Sequence, residues 1–263
     1  MLERILADTR RRLEEACPAP LIQELERLAS SVPAPADLAA ALSAPGVQLI
    51  AELKRRSPSR GDLAPGLDPA IQAVHYAHGG AAAISVLTEP VHFRGSLADL
   101  ASARAGTLRA GFDLPILRKD FILDPLQIVE ARAFGAAAVL LIAAALPAGD
   151  LARLYDEACR WGLSALCEVH DERDLEAALA VGPRLVGINS RNLRDMSVDP
   201  GVVERLRPQV PPGVLVVAES GVHGPADVRR LRDLGVDAVL VGEALVCAAD
   251  PEGMARSLVE AGR

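Results

Sequence analysis

Residues 47–61 read VQLIAELKRRSPSRG, an apolar run that passes directly into a polar loop. The apolar part is nearly continuous, which is typical of a parallel strand buried on both faces. The loop lacks the Gly-x-Gly-x-x-Gly pattern found at the first turn of many open nucleotide-binding sheets. The succession of apolar run, polar loop and helix-like segment then recurs along the chain, and this repetition indicates the fold class.

Eight apolar runs of this kind follow the first 46 residues. They lie at 47–53, 82–87, 114–117, 137–142, 164–169, 185–188, 214–218 and 237–241. Amphipathic segments separate them, at 68–78, 97–107, 125–134, 150–161, 172–181, 202–207 and 225–234. Asp-Pro pairs at 68–69, 124–125, 199–200 and 250–251 mark helix starts, and glycines before the next run mark helix ends. The repeat predicts an α/β fold, a (β/α)8 TIM barrel, ahead of a doubly wound open sheet, which usually has fewer strands.

Residues 1–46 do not follow this repeat. Leucines and isoleucines recur at helical intervals from Leu2 to Leu28, and prolines from Pro18 to Pro35 divide the region into short helices. We therefore expect a helical N-terminal extension over 1–46 and a barrel over 47–263, together forming a single domain. The extension should pack on the barrel or cover one of its ends.

Composition limits the classes of function. The chain has 263 residues, a net charge of −7 and a pI near 5.3, so nucleic-acid binding is not expected. No apolar run reaches membrane-helix length and the N-terminus lacks a signal peptide's apolar core, so we expect no membrane partner and a cytoplasmic protein. The cysteines are scattered, which argues against a zinc site or a disulfide framework. They are Cys17, Cys159, Cys167 and Cys247.

Two lysines are distinctive among the cationic side chains. The chain has 28 lysines and arginines, of which only Lys54 and Lys119 are lysines. Because arginine hardly releases its proton, these two are the candidate catalytic cations. Glu52 and Lys54 are two positions apart, so in a strand both point to the same face. The loop beyond suits a phosphate, because it contains three arginines, Arg55, Arg56 and Arg60.

Further polar residues collect where other runs end. Glu168 ends the fifth run, and Asn189 and Arg191 follow the sixth. Glu219 and Ser220 end the seventh. In a barrel these ends meet at one rim, where active sites lie. Tight turns at the ends of the last two runs offer free backbone N–H groups that suit a phosphate, at Gly221 and Gly242.

Histidines give a weaker signal. His92, His170 and His223 fall in loops at the same rim. A metal site built from His170, His223 and Glu168 is conceivable, but no paired-histidine spacing accompanies these residues. We therefore expect no metal at this rim.

Seven motifs in order carry a family resemblance: IAELKRRSPSRG, SVLTEP with FRGS, LRKDFILDPLQI, CEVHDE, GINSRNL, AESGV and VGEAL. With them the chain resembles the indole-3-glycerol-phosphate synthase family of tryptophan biosynthesis over roughly residues 45–250, and residues 1–46 are similar to that family's N-terminal extension. The resemblance implies a carboxy-lyase acting on 1-(2-carboxyphenylamino)-1-deoxyribulose 5-phosphate. It closes the ring, expels carbon dioxide and water, and releases indole-3-glycerol phosphate without a metal or organic cofactor.

The resemblance also implies roles for individual residues. Lys119 is similar to the family's general acid, which protonates the ketone oxygen as the aryl carbon attacks. Lys54 is placed to hold the anthranilate carboxylate. Glu52, Lys54 and Glu168 are candidates for the acid and the base of dehydration, with no assignment among them. Other residues are expected to bind or orient the substrate: Asn189, Glu219 and Arg191 at its hydroxyls and catalytic groups, Phe93 at the anthranilate ring, and Ser57, Ser220, Gly221, Gly242 and the N–H of Glu243 at the phosphate.

Two positions depart from the family pattern. VHFRGS at 91–96 contains Arg94 in a loop where relatives often show two aromatics and a glycine before the final Gly-Ser. We expect Arg94 to alter the anthranilate pocket. Asn192 replaces a commoner aspartate, which is a mild change.

Three alternative functions remain at this level. Phosphoribosylanthranilate isomerase, another phosphate-binding barrel, uses a cysteine–aspartate pair, and the first run has no cysteine. A Schiff-base aldolase would use Lys119 or Lys54 as its amine. A non-catalytic phosphate sensor would need neither both lysines nor three glutamates at the rim. For the enzyme we expect a monomer or a weak homodimer.

Overall fold

The computed structural model describes residues 1–15, 19–193 and 196–263, so Cys17 and Pro18 lie outside the described residues. Eight parallel strands close into a barrel in chain order, and the last of them pairs with the first. Helices follow the strands and surround the barrel. The prediction of a (β/α)8 barrel with helices at its N-terminus is confirmed.

The elements have the following bounds. The strands are β1 (Gln48–Leu53), β2 (Arg56–Ser57), β3 (Gly61–Asp62), β4 (Ala83–Leu87), β5 (Ile116–Lys119), β6 (Ala138–Ile142), β7 (Ser164–Val169), β8 (Leu185–Asn189), β9 (Leu215–Glu219) and β10 (Ala238–Val241). The helices are α1 (Leu2–Glu15), α2 (Ala19–Ser31), α3 (Leu38–Leu42), α4 (Pro69–His78), α5 (Leu97–Arg109), α6 (Pro125–Ala133), α7 (Ala148–Arg160), α8 (Glu172–Leu179), α9 (Val202–Leu206), α10 (Pro225–Asp233), α11 (Glu243–Val246) and α12 (Pro251–Gly262). Strands β2 and β3 form a small antiparallel hairpin in the first loop, outside the barrel.

The Asp-Pro pairs begin three of the four helices assigned to them. Asp68, Asp124 and Asp250 accept hydrogen bonds from first-turn N–H groups of α4, α6 and α12, and each is followed by proline at the first helical position. The helix start at Asp199 is wrong. Helix α9 begins at Val202 because Asp199 binds the N–H of Gly201, which is itself the N-cap.

The N-terminal region reaches both ends of the barrel. At the amino ends of the strands, α3 packs Leu38 against the barrel interior, and its N-cap Asp37 pairs with Arg184 at 2.9 Å. At the carboxyl ends, the N–H of Leu2 in α1 donates to the carbonyl of Leu193 at 3.0 Å. Helix α2 packs on α6 at the side. None of the described helices combines the length and the apolar character needed to cross a bilayer.

The inward faces of the strands place charged groups on top of an apolar interior. Because side chains alternate along a strand, every second residue points into the barrel. Four inward residues belong to the buried interior cluster: Ile50, Leu117, Leu166 and Val217. Two positions further along the same strands stand Glu52, Lys119, Glu168 and Glu219. The period of the strand therefore places these four charged side chains at the carboxyl-end rim, above an apolar layer.

Candidate active site

A cavity of about 140 Å³ opens at the carboxyl ends of the strands, and every barrel strand contributes to its wall. All thirteen residues selected from the sequence line it: Glu52, Lys54, Ser57, Phe93, Lys119, Glu168, Asn189, Arg191, Glu219, Ser220, Gly221, Gly242 and Glu243. The barrel therefore brings these residues together in space, as expected of groups at the ends of parallel strands.

The centre of the site is a lysine held between two carboxylates. Lys119 Nζ donates to Oε2 of Glu168 at 2.7 Å and to Oε2 of Glu219 at 2.8 Å. Both glutamates are 1% exposed. Two charge-assisted hydrogen bonds in a buried setting fix the ammonium group in one position.

Burial and charge set the protonation states of this cluster. Burial disfavours the ammonium form of Lys119, but Glu168 and Glu219 more than offset this effect, so the pKa of Lys119 lies well above its usual value. Burial and the nearby Glu168 charge raise the pKa of Glu219 to about 8, against the attraction of Lys119. For Glu168 burial is outweighed by Lys119 and His170, which lower its pKa. Lys119 is therefore cationic at neutral pH, and Glu168 ionises more readily than Glu219.

A second ion pair stands beside the first. Lys54 Nζ lies 2.9 Å from Oε1 of Glu52, and both side chains are largely buried. Gly242 makes room for this pair. A Cβ at that position would overlap Oε1 of Glu52 and lie 3.0 Å from Lys54 Nζ. The lack of a side chain at Gly242 therefore leaves room for the Glu52–Lys54 pair.

Gly187 has a comparable part that the sequence reading missed. It lies in β8, opposite Val217 of β9, and a Cβ there would overlap Oε1 of Glu219. The signal was a glycine inside a strand, which often marks a close approach. The absence of a side chain at Gly187 lets the Glu219 carboxylate turn towards Lys119.

The turns at the other side of the cavity have the geometry of anion sites. Ser220 and Gly221 both have left-handed backbones, with φ of 63° and 74°. Gly242 is the N-cap of α11, whose first amides have no acceptor within the helix. Ser57, in the hairpin strand β2, is buried and its Oγ accepts the N–H of Arg60 at 3.2 Å. Successive amides in such turns suit an anion.

The arginines of the first loop are occupied elsewhere. Arg55 makes a bidentate pair with Asp99, at 2.6 and 2.9 Å. Arg60 binds the Glu243 carboxylate at 2.6 Å. Neither these two nor Arg56 lines the cavity. The expectation that the loop arginines form the anion site is wrong, because carboxylates of the described residues already pair with them.

Arg94 also turns away from the cavity. Its guanidinium donates to Asp62 of the hairpin at 2.9 Å, and its backbone is left-handed, with φ of 55°. It does not belong to the cavity wall. The expectation that Arg94 alters the pocket is therefore wrong for its side chain.

Asn189 and Arg191 are linked through the backbone. In the barrel register Asn189 lies beside Glu219. Its Oδ1 accepts the N–H of Arg191 at 3.0 Å, whereas the Arg191 guanidinium donates to the carbonyl of Met196 at 3.3 Å. Arg191 thus orients Asn189 by its main chain, and its side chain binds the loop instead of Glu168.

The apolar wall contains residues that the sequence reading missed. Phe93 lies near Phe121, with ring centroids 6.3 Å apart. Further apolar members of the wall are Pro58, Leu87, Leu140, Ile142, Leu193, Met196, Val222, Leu240 and Val241. Phe121 carried a signal, since it stands two residues after Lys119 in a chain with four phenylalanines. The two rings offer a surface suited to a planar aromatic group.

A buried polar network supports the Lys119 strand from behind. Asp120 accepts hydrogen bonds from Thr88 at 2.6 Å and from Arg118 at 3.1 Å. Arg118 also donates to the carbonyl of Gln127 at 2.5 Å. The Gln127 side chain in turn donates to the carbonyl of Phe121 at 2.9 Å. The loop that carries Phe121 is therefore tied to the end of β5.

The two histidines considered as metal ligands are placed differently. His223 lines the cavity, whereas His170 lies outside its wall, largely buried beside Glu168. Among the described residues no three side chains converge as metal ligands.

Comparison with known proteins gives a family match. The indole-3-glycerol phosphate synthase family model matches residues 2–258. A protein of that name from Parafrankia sp. is 51% identical over 262 residues, covering 100% of this chain and 94% of its own length. Another from Nocardioides sp. is 52% identical over 258 residues, with 98% and 97% covered.

Solved structures add a likeness of fold. A thiamine phosphate pyrophosphorylase from Pyrococcus furiosus has a TM-score of 0.64 at 20% identity, covering 86% of this chain and 97% of its own. A 3-hexulose-6-phosphate synthase from Salmonella typhimurium has a TM-score of 0.63 at 14% identity, with 82% and 98% covered. At these identities the likeness concerns the barrel alone.

Proposed function

The chain belongs to the indole-3-glycerol phosphate synthase family, and we propose that Lys119 and the Lys54–Glu52 pair carry the proton transfers of its reaction. That reaction closes the ring of 1-(2-carboxyphenylamino)-1-deoxyribulose 5-phosphate, then removes carbon dioxide and water to give indole-3-glycerol phosphate. The observation that carries the proposal is the ammonium group of Lys119, fixed between two buried carboxylates inside the cavity.

In ring closure Lys119 is the general acid. The aryl carbon that bears the carboxylate attacks the ketone carbon, and the ketone oxygen gains negative charge. Lys119 donates a proton to this oxygen, which becomes a hydroxyl group, and Lys119 regains a proton from solvent before the next turnover. A cation held in place by Glu168 and Glu219 needs no reorganisation at that moment, and this preorganisation stabilises the transition state.

Lys54 binds the anthranilate carboxylate before it is lost. The carboxylate is the only anionic group of the substrate apart from the phosphate, and Lys54, paired with Glu52, is the second lysine of the cavity wall. The ring packs against the surface formed by Phe93 and Phe121. Loss of carbon dioxide then restores the aromatic ring and ends the contact of Lys54 with the substrate carboxylate.

In dehydration we assign Lys54 as the acid and Glu52 as the base. Lys54 protonates the hydroxyl group, which leaves as water, while Glu52 removes the carbon-bound proton whose loss completes the indole. The proton then passes from Glu52 to Lys54 across their 2.9 Å contact, and both groups return to their starting charge. Glu168 is ionised and bound to Lys119, so its part is to hold that cation.

The remaining cavity groups bind and orient the substrate. Asn189, Arg191 and Glu219 orient the hydroxyl chain and the catalytic groups. The phosphate is placed against the amide-rich turns at Ser57, Ser220, Gly221, Gly242 and the N–H of Glu243. A phosphate ester does not cross a bilayer unaided, which supports a cytoplasmic site of action. As assembly state we propose a monomer or a weak homodimer, which sedimentation across protein concentrations would test.

Indole fluorescence tests the proposed reaction directly. Purified protein mixed with the phosphorylated substrate should generate indole fluorescence and one carbon dioxide per product. Lys119→Met should lose most turnover while keeping the fold, since methionine fills the space without a proton. Near-normal turnover of this variant would remove Lys119 from the proposed role.

The Schiff-base alternative requires Lys119 to be neutral, whereas the proposed reaction requires it to be charged. A lysine that forms an imine must be a neutral amine, and its pKa must be low. The carboxylates around Lys119 raise its pKa instead. Borohydride should therefore trap no substrate on the protein, and a trapped adduct at Lys119 would support the aldolase.

A further inference from the structure

His170 is a largely buried titratable group, with its side chain 9% exposed, that the proposed reaction does not use. It follows β7 immediately and does not line the cavity. Its Nε2 lies 3.4 Å from Oε1 of Glu168, and its Nδ1 lies 3.4 Å from Oδ2 of Asp174. Asp174, in α8, also accepts the backbone N–H of His170 at 3.1 Å. A single carboxylate thus holds both the main chain and the ring of His170.

The two flanking carboxylates determine which protonation state suits the His170 ring. A neutral imidazole donates from only one nitrogen, whereas an imidazolium donates from both. At His170 both nitrogens face carboxylate oxygens, and the ring nitrogens and Oε1 of Glu168 have no other hydrogen-bond partner among the described residues. The arrangement therefore matches an imidazolium with one N–H facing each carboxylate.

We propose that His170, held by Asp174, is a positioning residue that presents Nε2–H to Oε1 of Glu168 and so fixes the carboxylate whose other oxygen binds Lys119. The inference rests on the reaction and on the Lys119 role proposed above. It gives the site a chain of alternating charges from α8 to β5, formed by Asp174, His170, Glu168 and Lys119, and Lys119 also donates to Glu219 of β9. Each member has an oppositely charged or proton-sharing neighbour.

The charged groups around His170 together favour its positively charged form. Burial opposes the charging of His170, but Asp174, Glu168 and the more distant Glu219 more than offset it, so its pKa lies above the usual value of 6.5. Lys119 is the opposing cation, and Glu168 stands between it and the ring. Below the pKa of His170, the imidazolium keeps Glu168 ionised, which in turn keeps Lys119 oriented.

The first test is a pH profile of kcat. Removing a positive charge beside a carboxylate raises the pKa of that carboxylate. His170→Asn should therefore move the acidic limb of the kcat profile, where Glu168 becomes protonated, to higher pH by about one pH unit. At a pH below the limb, the kcat of the variant should be about tenfold lower than that of wild type. The KM should stay within about twofold, because His170 does not touch the cavity.

Companion variants separate position from charge. Asp174→Asn should shift the same limb in the same direction. His170→Gln places an uncharged amide donor near the position of Nε2, which the shorter asparagine does not reach, so it should keep the plateau of kcat closer to wild type while showing the same shifted limb. The matched control is His75→Asn, which changes a half-exposed histidine on α4, away from the cavity. Limbs equal to wild type in the His170 and Asp174 variants would overturn the proposal.

A second measurement does not depend on turnover. In ¹⁵N spectra of the histidine rings, the signal missing from His170→Asn, or displaced in Asp174→Asn, should titrate above pH 6.5 in the wild-type protein. Glu168→Gln should lower the pKa of His170, because a neutral amide no longer favours the imidazolium. A His170 signal that titrates at or below 6.5, or ignores Glu168→Gln, would contradict the proposed contact. Should the wild-type protein form no indole, the spectra would still test this contact, and the failure would lie with the reaction.

Discussion

Gly187→Ala should inactivate the protein without unfolding it. A Cβ at this position would overlap Oε1 of Glu219 and lie 3.2 Å from its Cδ, so the carboxylate must move by about 1 Å to restore ordinary contact. The other oxygen of Glu219 is bound to Lys119 at 2.8 Å, and a shift of this size breaks that bond. Displacement of a catalytic group by about 1 Å can cost about a hundredfold in rate, and we expect a fall in kcat of that order.

Steady-state indole fluorescence gives kcat and KM, and thermal unfolding gives the stability of the same samples. The overlap falls on the end of a side chain, so the melting temperature should change little. Gly149→Ala is the matched control, since a Cβ at that exposed position of α7 meets nothing within 4 Å. If Gly187→Ala keeps kcat within about twofold of wild type, the claim that Glu219 must stay at Lys119 is refuted.

Three further predictions concern the surroundings of Lys119. The ordinary pKa of Glu219 is 4.5 and its folded value is about 8. Between these pH values the native state holds a proton that the unfolded chain has released, so this group's contribution to the free energy of unfolding falls as pH rises. Glu219→Gln should abolish that fall, and urea unfolding at a series of pH values would contradict the prediction if the wild-type and variant free energies ran parallel. Arg118→Met should destabilise the protein by about 3–5 kcal/mol, because Asp120 is left as an unpaired buried charge, and a loss below about 1 kcal/mol in urea unfolding would contradict the network. Phe121→Ala should raise KM for the substrate more than it lowers kcat, since the ring is assigned to substrate binding. An unchanged KM would contradict that role.

The barrel could be predicted because its signals are local and repeated. Each strand is buried on both faces, so each appears as a short apolar run, and Asp68, Asp124 and Asp250 begin helices by capping their own first turns. The rim residues followed from the same repeat. Once the runs are strands, period two puts Lys119 and Glu168 at the top of the barrel interior.

The contacts between distant loops could not be predicted in this way. Arg55 looks like an anion ligand in its own loop, but its partner Asp99 lies on α5. A glycine at position 187 indicates a close approach, but the sequence does not say that the approaching group is Glu219, on the next strand. His170 read as a loop histidine because its carboxylate neighbours come from β7 and α8. In each case the deciding partner is set by three-dimensional packing.

Replacement of Lys119 by arginine most directly tests the claim that this residue is the proton donor. Arginine keeps the positive charge between Glu168 and Glu219 but hardly releases a proton. The account predicts that Lys119→Arg binds substrate with an affinity close to wild type in equilibrium titration, while single-turnover indole formation falls by about a hundredfold or more. Single-turnover rates near wild type would contradict it, since charge alone would then be enough.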